Sequence, residues 1–70
     1  MSGERRRDEI WEAIRKYKAE HDGNSPSERE LAEIVGVSRG SIQYHLGKLI
    51  KAGRLERGYA DRRAFRITGS

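Results

Sequence analysis

The chain has 70 residues, 34% hydrophobic and 37% charged, with fifteen Lys and Arg against eleven Asp and Glu for a net charge of +4. A chain this short supports one hydrophobic core and buries only about 60% of its unfolded surface, which leaves no room for a deep, enclosed catalytic cavity beside that core. The absence of cysteine excludes disulfide frameworks, thiolate zinc sites and thiol nucleophiles, and no apolar run approaches the roughly 18 residues of a membrane helix.

From Asp8 onward the apolar residues Ile10, Trp11, Ile14 and Tyr17, followed by His21, recur at spacings of three and four, which predicts a first amphipathic helix. Asp22-Gly23-Asn24 ends it, because these residues accept left-handed backbone, and Pro26 drives Ser25 extended. Ser27-Glu28-Arg29-Glu30 is a capping box that opens a second helix carrying Leu31, Ala32 and Val35. Gly36 stops this helix, Val37 places an apolar residue in the turn, and Ser38 caps a third. The third helix turns Ile42, Leu46, Leu49 and Ile50 inward and ends at Gly53.

Beyond Gly53 the period changes. Leu55 and Arg57, then Ala64 to Ile67, alternate as two short strands around the basic stretch Gly58-Tyr59-Ala60-Asp61-Arg62-Arg63, which predicts a hairpin. The fold class expected is mainly α with a small β-hairpin (α+β), as one domain over residues 1–70. Its core runs over about 7–67, and its ends, 1–4 and 68–70, are expected to be flexible. Arg5-Arg6-Arg7 is either an N-terminal arm that meets phosphates or a solubilising lead-in to the first helix.

Charge gives the first functional clue. Residues 1–37 hold seven basic and nine acidic side chains, whereas residues 38–70 hold eight basic side chains and only Glu56 and Asp61 as acids. A basic half attracts polyanions, so nucleic acid leads the partner classes. A merely solvated basic surface is the plain alternative. An anionic membrane favours a continuous basic amphipathic helix, and glycines interrupt the basic residues here.

Two helices joined by Gly36-Val37-Ser38, with a basic outer face on the second, form a helix-turn-helix, and the hairpin behind it forms a wing. With Ile42, Leu46 and Leu49 inward, 100° per residue turns Gly40, Gln43, Tyr44, Gly47, Lys48 and Lys51 outward, with Arg39 and Ser41 beside them. Arginine pairs with guanine, glutamine with adenine, serine and tyrosine suit phosphates or base edges, and lysine suits phosphates. Gly40 and Gly47 each cost about 1 kcal/mol of helix propensity, which a close approach by another molecule would explain. Ser38 serves either as a cap alone or also as a phosphate contact at the helix N-terminus. Arg62 and Arg63 either solvate the turn or reach the DNA backbone or minor groove.

The strings Ser25-Pro26-Ser27-Glu28-Arg29-Glu30-Leu31-Ala32-Glu33-Ile34-Val35-Gly36-Val37-Ser38, Ser41-Ile42-Gln43-Tyr44-His45-Leu46 and Lys51-Ala52-Gly53-Arg54-Leu55 resemble the N-terminal DNA-binding domain of the LexA-like repressors. The resemblance covers about Arg7 to Ile67. It implies a three-helix winged helix-turn-helix that pairs on operator half-sites and represses transcription. By position it assigns DNA contact to Ser38, Arg39, Ser41, Gln43, Tyr44 and Lys48 on the third helix and to Arg62 and Arg63 on the wing. The Gln43-Tyr44 pair stands where the family commonly carries other polar or basic residues, so the resemblance does not carry over the operator of the damage-response repressors. The family's peptidase and dimerisation domain has no counterpart in this sequence, which makes it either an excised domain or a stand-alone relative.

No enzymatic role is expected. His21 and His45 fall on different helices with no cysteine to complete a metal set, and no phosphate-binding glycine loop occurs. His45 sits at the edge of the third helix's apolar stripe, which suits a core flank. The sequence therefore predicts sequence-specific binding of double-stranded DNA, with no cofactor, metal, membrane or small-molecule substrate. It predicts a cytoplasmic, nucleoid-associated protein that is a monomer alone and pairs on DNA. The alternative is a winged-helix protein-interaction module docking through Ile34 and Tyr44. Recognition of double-stranded RNA ranks lower, because the deep A-form major groove excludes a helix.

Overall fold

The computed structural model describes residues 3–57 and 65–68, which form three helices and a two-stranded antiparallel sheet. Helix α1 spans Gly3–Glu20, α2 Glu28–Val35 and α3 Arg39–Lys51, and strands β1 and β2 span Leu55–Arg57 and Phe65–Ile67. This is the winged helix-turn-helix, mainly α, that the apolar spacing predicts.

Helix α1 begins at Gly3, five residues ahead of Asp8. Nothing between Gly3 and Ile10 breaks a helix, arginine propagates one well, and Glu4 in the first turn complements its positive end. Arg6 donates to Glu9 at 2.8 Å, one turn on. Arg5, Arg6 and Arg7 are thus the lead-in of the helix rather than a separate arm. At the other end Asp22 and Gly23 take φ of 55° and 85°, and the Gly23 N–H donates to the Lys18 carbonyl at 2.7 Å.

The capping box forms as its spacing requires. The Glu30 N–H donates to Ser27 Oγ at 3.1 Å and the Ser27 N–H to Glu30 Oε1 at 2.8 Å, which satisfies two of the free donors at the start of α2. Gly36, at φ 82°, closes α2 by donating to the Ala32 carbonyl at 2.8 Å. Only Gly36, Val37 and Ser38 separate α2 from α3.

The core is built from Ile10, Trp11 and Ile14 of α1, Leu31 of α2, Ile42, Leu46 and Leu49 of α3, and Leu55 and Phe65 of the sheet. Every element contributes to this one core. The register pairs Leu55 with Ile67, Glu56 with Arg66 and Arg57 with Phe65. Leu55 and Phe65 therefore share the inner face, Glu56 and Arg66 form an ion pair on the outer one, and the Arg57 guanidinium covers the Phe65 ring at 5.3 Å.

Two tethers that no local pattern reveals hold the hairpin against the helices. Ser25 Oγ accepts from the Phe65 N–H at 2.8 Å and donates to the Phe65 carbonyl at 3.0 Å. The same carbonyl accepts from Lys18 Nζ at 2.8 Å, while Lys18 also donates to the Gly23 carbonyl at 2.8 Å. At the start of β1, Trp11 Nε1 donates to the Arg54 carbonyl at 3.3 Å. The Arg54 guanidinium lies 4.9 Å from the Trp11 ring and pairs with Asp8 at 2.8 Å.

Replacing Ser25 with Ala leaves both Phe65 backbone groups without their hydroxyl partner. The expected loss is about 1 to 3 kcal/mol of unfolding free energy, read from a urea titration with an unchanged helical spectrum. A loss below roughly 0.5 kcal/mol, the range of neutral surface changes, would show that the hydroxyl does not hold the strand.

Candidate nucleic-acid interface

Ser38 starts α3 and fixes its first turn. Its side chain accepts from the Ser41 N–H at 3.2 Å and lies 3.2 Å from Ser41 Oγ, to which it donates. From this cap the helix turns Ile42, His45, Leu46 and Leu49 inward. Arg39, Gly40, Gln43, Tyr44, Gly47, Lys48 and Lys51 are exposed, Ser38 is exposed beside them, and Ser41 is half-buried. Ser38, Arg39, Gly40, Ser41, Gln43, Tyr44 and Lys48, the seven residues of α3 and its cap expected to meet DNA, thus lie along one helix, and all but the half-buried Ser41 are exposed. Arg62 and Arg63, assigned to the wing, lie outside the described residues, as does Ala64.

The chemistry of this face is one-sided. Helix α3 contains no acidic residue and ends with Lys48 and Lys51 in its last turn. Among the described residues, Arg39, Lys48 and Lys51 enter no ion pair. Lys48 Nζ stands 5.5 Å over the Tyr44 ring, which is itself 58% exposed. A Cβ at Gly47 would meet nothing within 4 Å, and one at Gly40 would meet only Ser38 Oγ at 3.9 Å. Among the described residues no contact therefore requires either glycine.

Two features of the face escaped the sequence. Glu28, the first residue of α2, accepts from Gln43 Nε2 at 3.2 Å. In the sequence Glu28 is only the second letter of a capping box, and fifteen residues separate it from Gln43. The short turn, which folds the start of α2 back beside α3, is the sole hint. The second feature is a cleft between the N-terminal end of α1 and the C-terminal end of α3, lined by Arg7, Asp8, Lys48, Lys51 and Arg54 among others.

His45 lies on the opposite side of α3 from this face, 7% exposed. The first turn of α1 covers it, so that a Cβ on Gly3 would stand 3.6 Å from its Cε1. Its Nδ1 is buried and has no hydrogen-bond partner among the described residues, and its ring meets the Tyr44 ring edge-on at 5.2 Å. Burial, followed by the charges of Arg7 and Arg6, lowers its pKa below the ordinary 6.5. The expectation of a core flank is met, and the pocket disfavours the imidazolium.

Among the described residues no three His, Cys, Asp or Glu gather to hold a metal, and no helix is long and apolar enough to cross a membrane.

The His45 environment makes stability depend on pH. The unfolded chain binds this proton near pH 6.5 and the folded chain only at lower pH. Stability is therefore full above 6.5 and is lost as pH falls toward the folded value. Denaturant midpoints should fall between about pH 7.5 and about pH 5.5, above the range where most carboxylates titrate. His45→Gln should flatten that profile, and an equal slope in the variant would refute the assignment.

No curated protein matches the chain. Residues 23–56, from the turn after α1 through α2 and α3 into β1, match the family described as winged helix-turn-helix DNA-binding.

Proposed function

We propose that the chain binds double-stranded DNA sequence-specifically and represses transcription in the manner of the LexA-like regulators, pairing on half-sites as a monomer that dimerises only on DNA. Helix α3 enters the major groove, where Arg39, Gln43 and Tyr44 read base edges. Ser38, Ser41 and Lys48 hold phosphates, and Arg62 and Arg63 grip the backbone.

The observation that carries this reading is the outward face of α3, a stripe with cations and the carboxamide of Gln43, no carboxylate of its own, and two glycines that no contact among the described residues requires. A duplex explains all three at once. Cations neutralise phosphates, the carboxamide reads a base edge, and missing side chains let the helix backbone approach the groove. The family match over residues 23–56 points the same way.

A protein-docking module is the second reading, and one observation favours it. Ile34 is 54% exposed and lines a groove between α1 and α2 with Ala13 and Val35. That groove is not the α3 face, so it adds a contact without competing for the DNA surface.

Binding to duplex pools at several salt concentrations tests the assignment. Lys48→Ala should weaken all sequences alike and reduce the salt slope by about 1, whereas Gln43→Ala should relax the preference at one position. Uniform loss in Gln43→Ala would count against base reading. Gly47→Ala should raise folding stability by roughly 0.5 to 1 kcal/mol, because the methyl group has room and helix propensity improves. It should nevertheless weaken DNA binding, and unchanged binding would remove the argument from close approach.

A further inference from the structure

Although α3 carries no acidic residue, a carboxylate from another helix is bonded to its outward face. Glu28, half-buried at the start of α2, accepts from the exposed Gln43 through Nε2 at 3.2 Å. A negative charge at this place opposes phosphates and lowers affinity for any duplex. Its effect on Gln43 is directional. A carboxylate only accepts hydrogen bonds, so it turns the amide nitrogen of Gln43 toward itself and leaves Oε1 pointing elsewhere. Without that partner a glutamine carboxamide presents either end.

We propose that Glu28 is a positioning residue for sequence preference: it holds Gln43 so that the pair presents acceptor oxygens to the groove and selects a base with an exocyclic amino group, adenine first and guanine last. The inference rests on the DNA-reading role proposed above. Adenine offers its N6 amino group to Oε1 and its N7 to the second hydrogen of Nε2. Cytosine offers an amino group alone. Guanine presents two acceptors, N7 and O6; the one remaining Nε2 hydrogen serves a single one of them and leaves the other facing an acceptor oxygen. The carboxylate thus exchanges general affinity for discrimination, since a mismatched acceptor against a fixed carboxylate has no hydrogen to share.

Selection from a randomised duplex pool tests this with the intact chain, Glu28→Ala and Glu28→Gln, the last keeping the shape of the side chain should the alanine variant unfold. The parent should enrich adenine and deplete guanine at one position by roughly tenfold. Both variants should lose most of that contrast while binding the pool no more weakly. Variants that bind every sequence more tightly with an unchanged base ranking would overturn the proposal and leave Glu28 as a bulk charge. A parent that prefers guanine at the position lost in Gln43→Ala would overturn it also, with DNA reading intact. A parent that selects no sequence at all fails the DNA-reading role itself, and is told apart by flat preferences at every position.

Discussion

The backbone of Phe65 is the point on which this small fold depends. A two-stranded hairpin has little stability of its own, and here its second strand is only three residues long. Phe65 buries its ring among the helices, while its N–H and carbonyl are both taken up by the single hydroxyl of Ser25. One serine thereby does for β2 what a neighbouring strand does in a larger sheet. Lys18 bonds the same carbonyl and the Gly23 carbonyl together, which ties the end of α1, the following turn and the wing into one body. With no disulfide available, such side-chain tethers supply the cross-links that a core of nine residues cannot supply through area alone.

Charge is distributed with the same economy. Acidic side chains concentrate in the first two helices, where they cap helix starts and pair with nearby arginines, as Glu9 does with Arg6 and Glu12 with Arg15. These exposed pairs add little to stability, but they keep the acidic side of the molecule quiet. Among the described residues the cations of α3 have no such partners, so their field extends into solvent, where it acts within about a Debye length of 8 to 10 Å. Burial of His45 on the inner side of the same helix separates the titrating group of α3 from the face that carries fixed charge.

The elements legible in the sequence are those specified by neighbours in the chain. Ser27 and Glu30 sit three apart and form a capping box, Gly36 takes the left-handed backbone only glycine accepts freely, and the four-and-three spacing of Ile42, Leu46 and Leu49 fixes which side of α3 is wet. The tethers that escaped are long-range: Ser25 to Phe65 spans forty residues and Trp11 to Arg54 forty-three. They join a side chain to a backbone group, which carries no residue-type signal. The early start of α1 escaped for another reason, since Arg5 to Arg7 lack the apolar periodicity by which helices are traced, although arginine suits a helix. Most of the exposed face of α3 was legible from helical angle alone, whereas Glu28 was not, because it reaches that face from a different helix.

The three-residue turn between α2 and α3 acts as a phase lock. Gly36 ends one helix and Ser38 caps the next, so the first helical residue is fixed and with it the rotation of every later side chain. A single residue added to α3 after the cap would turn the remainder of the helix by about 100°. That rotation would bring serine, tyrosine and lysine to the positions that face the core and turn Leu46 out to solvent. Variation in what this surface binds is therefore confined to exchange of side chains at fixed positions. The length of the turn and the register of the helix are shared between folding and recognition, and neither can drift without the other.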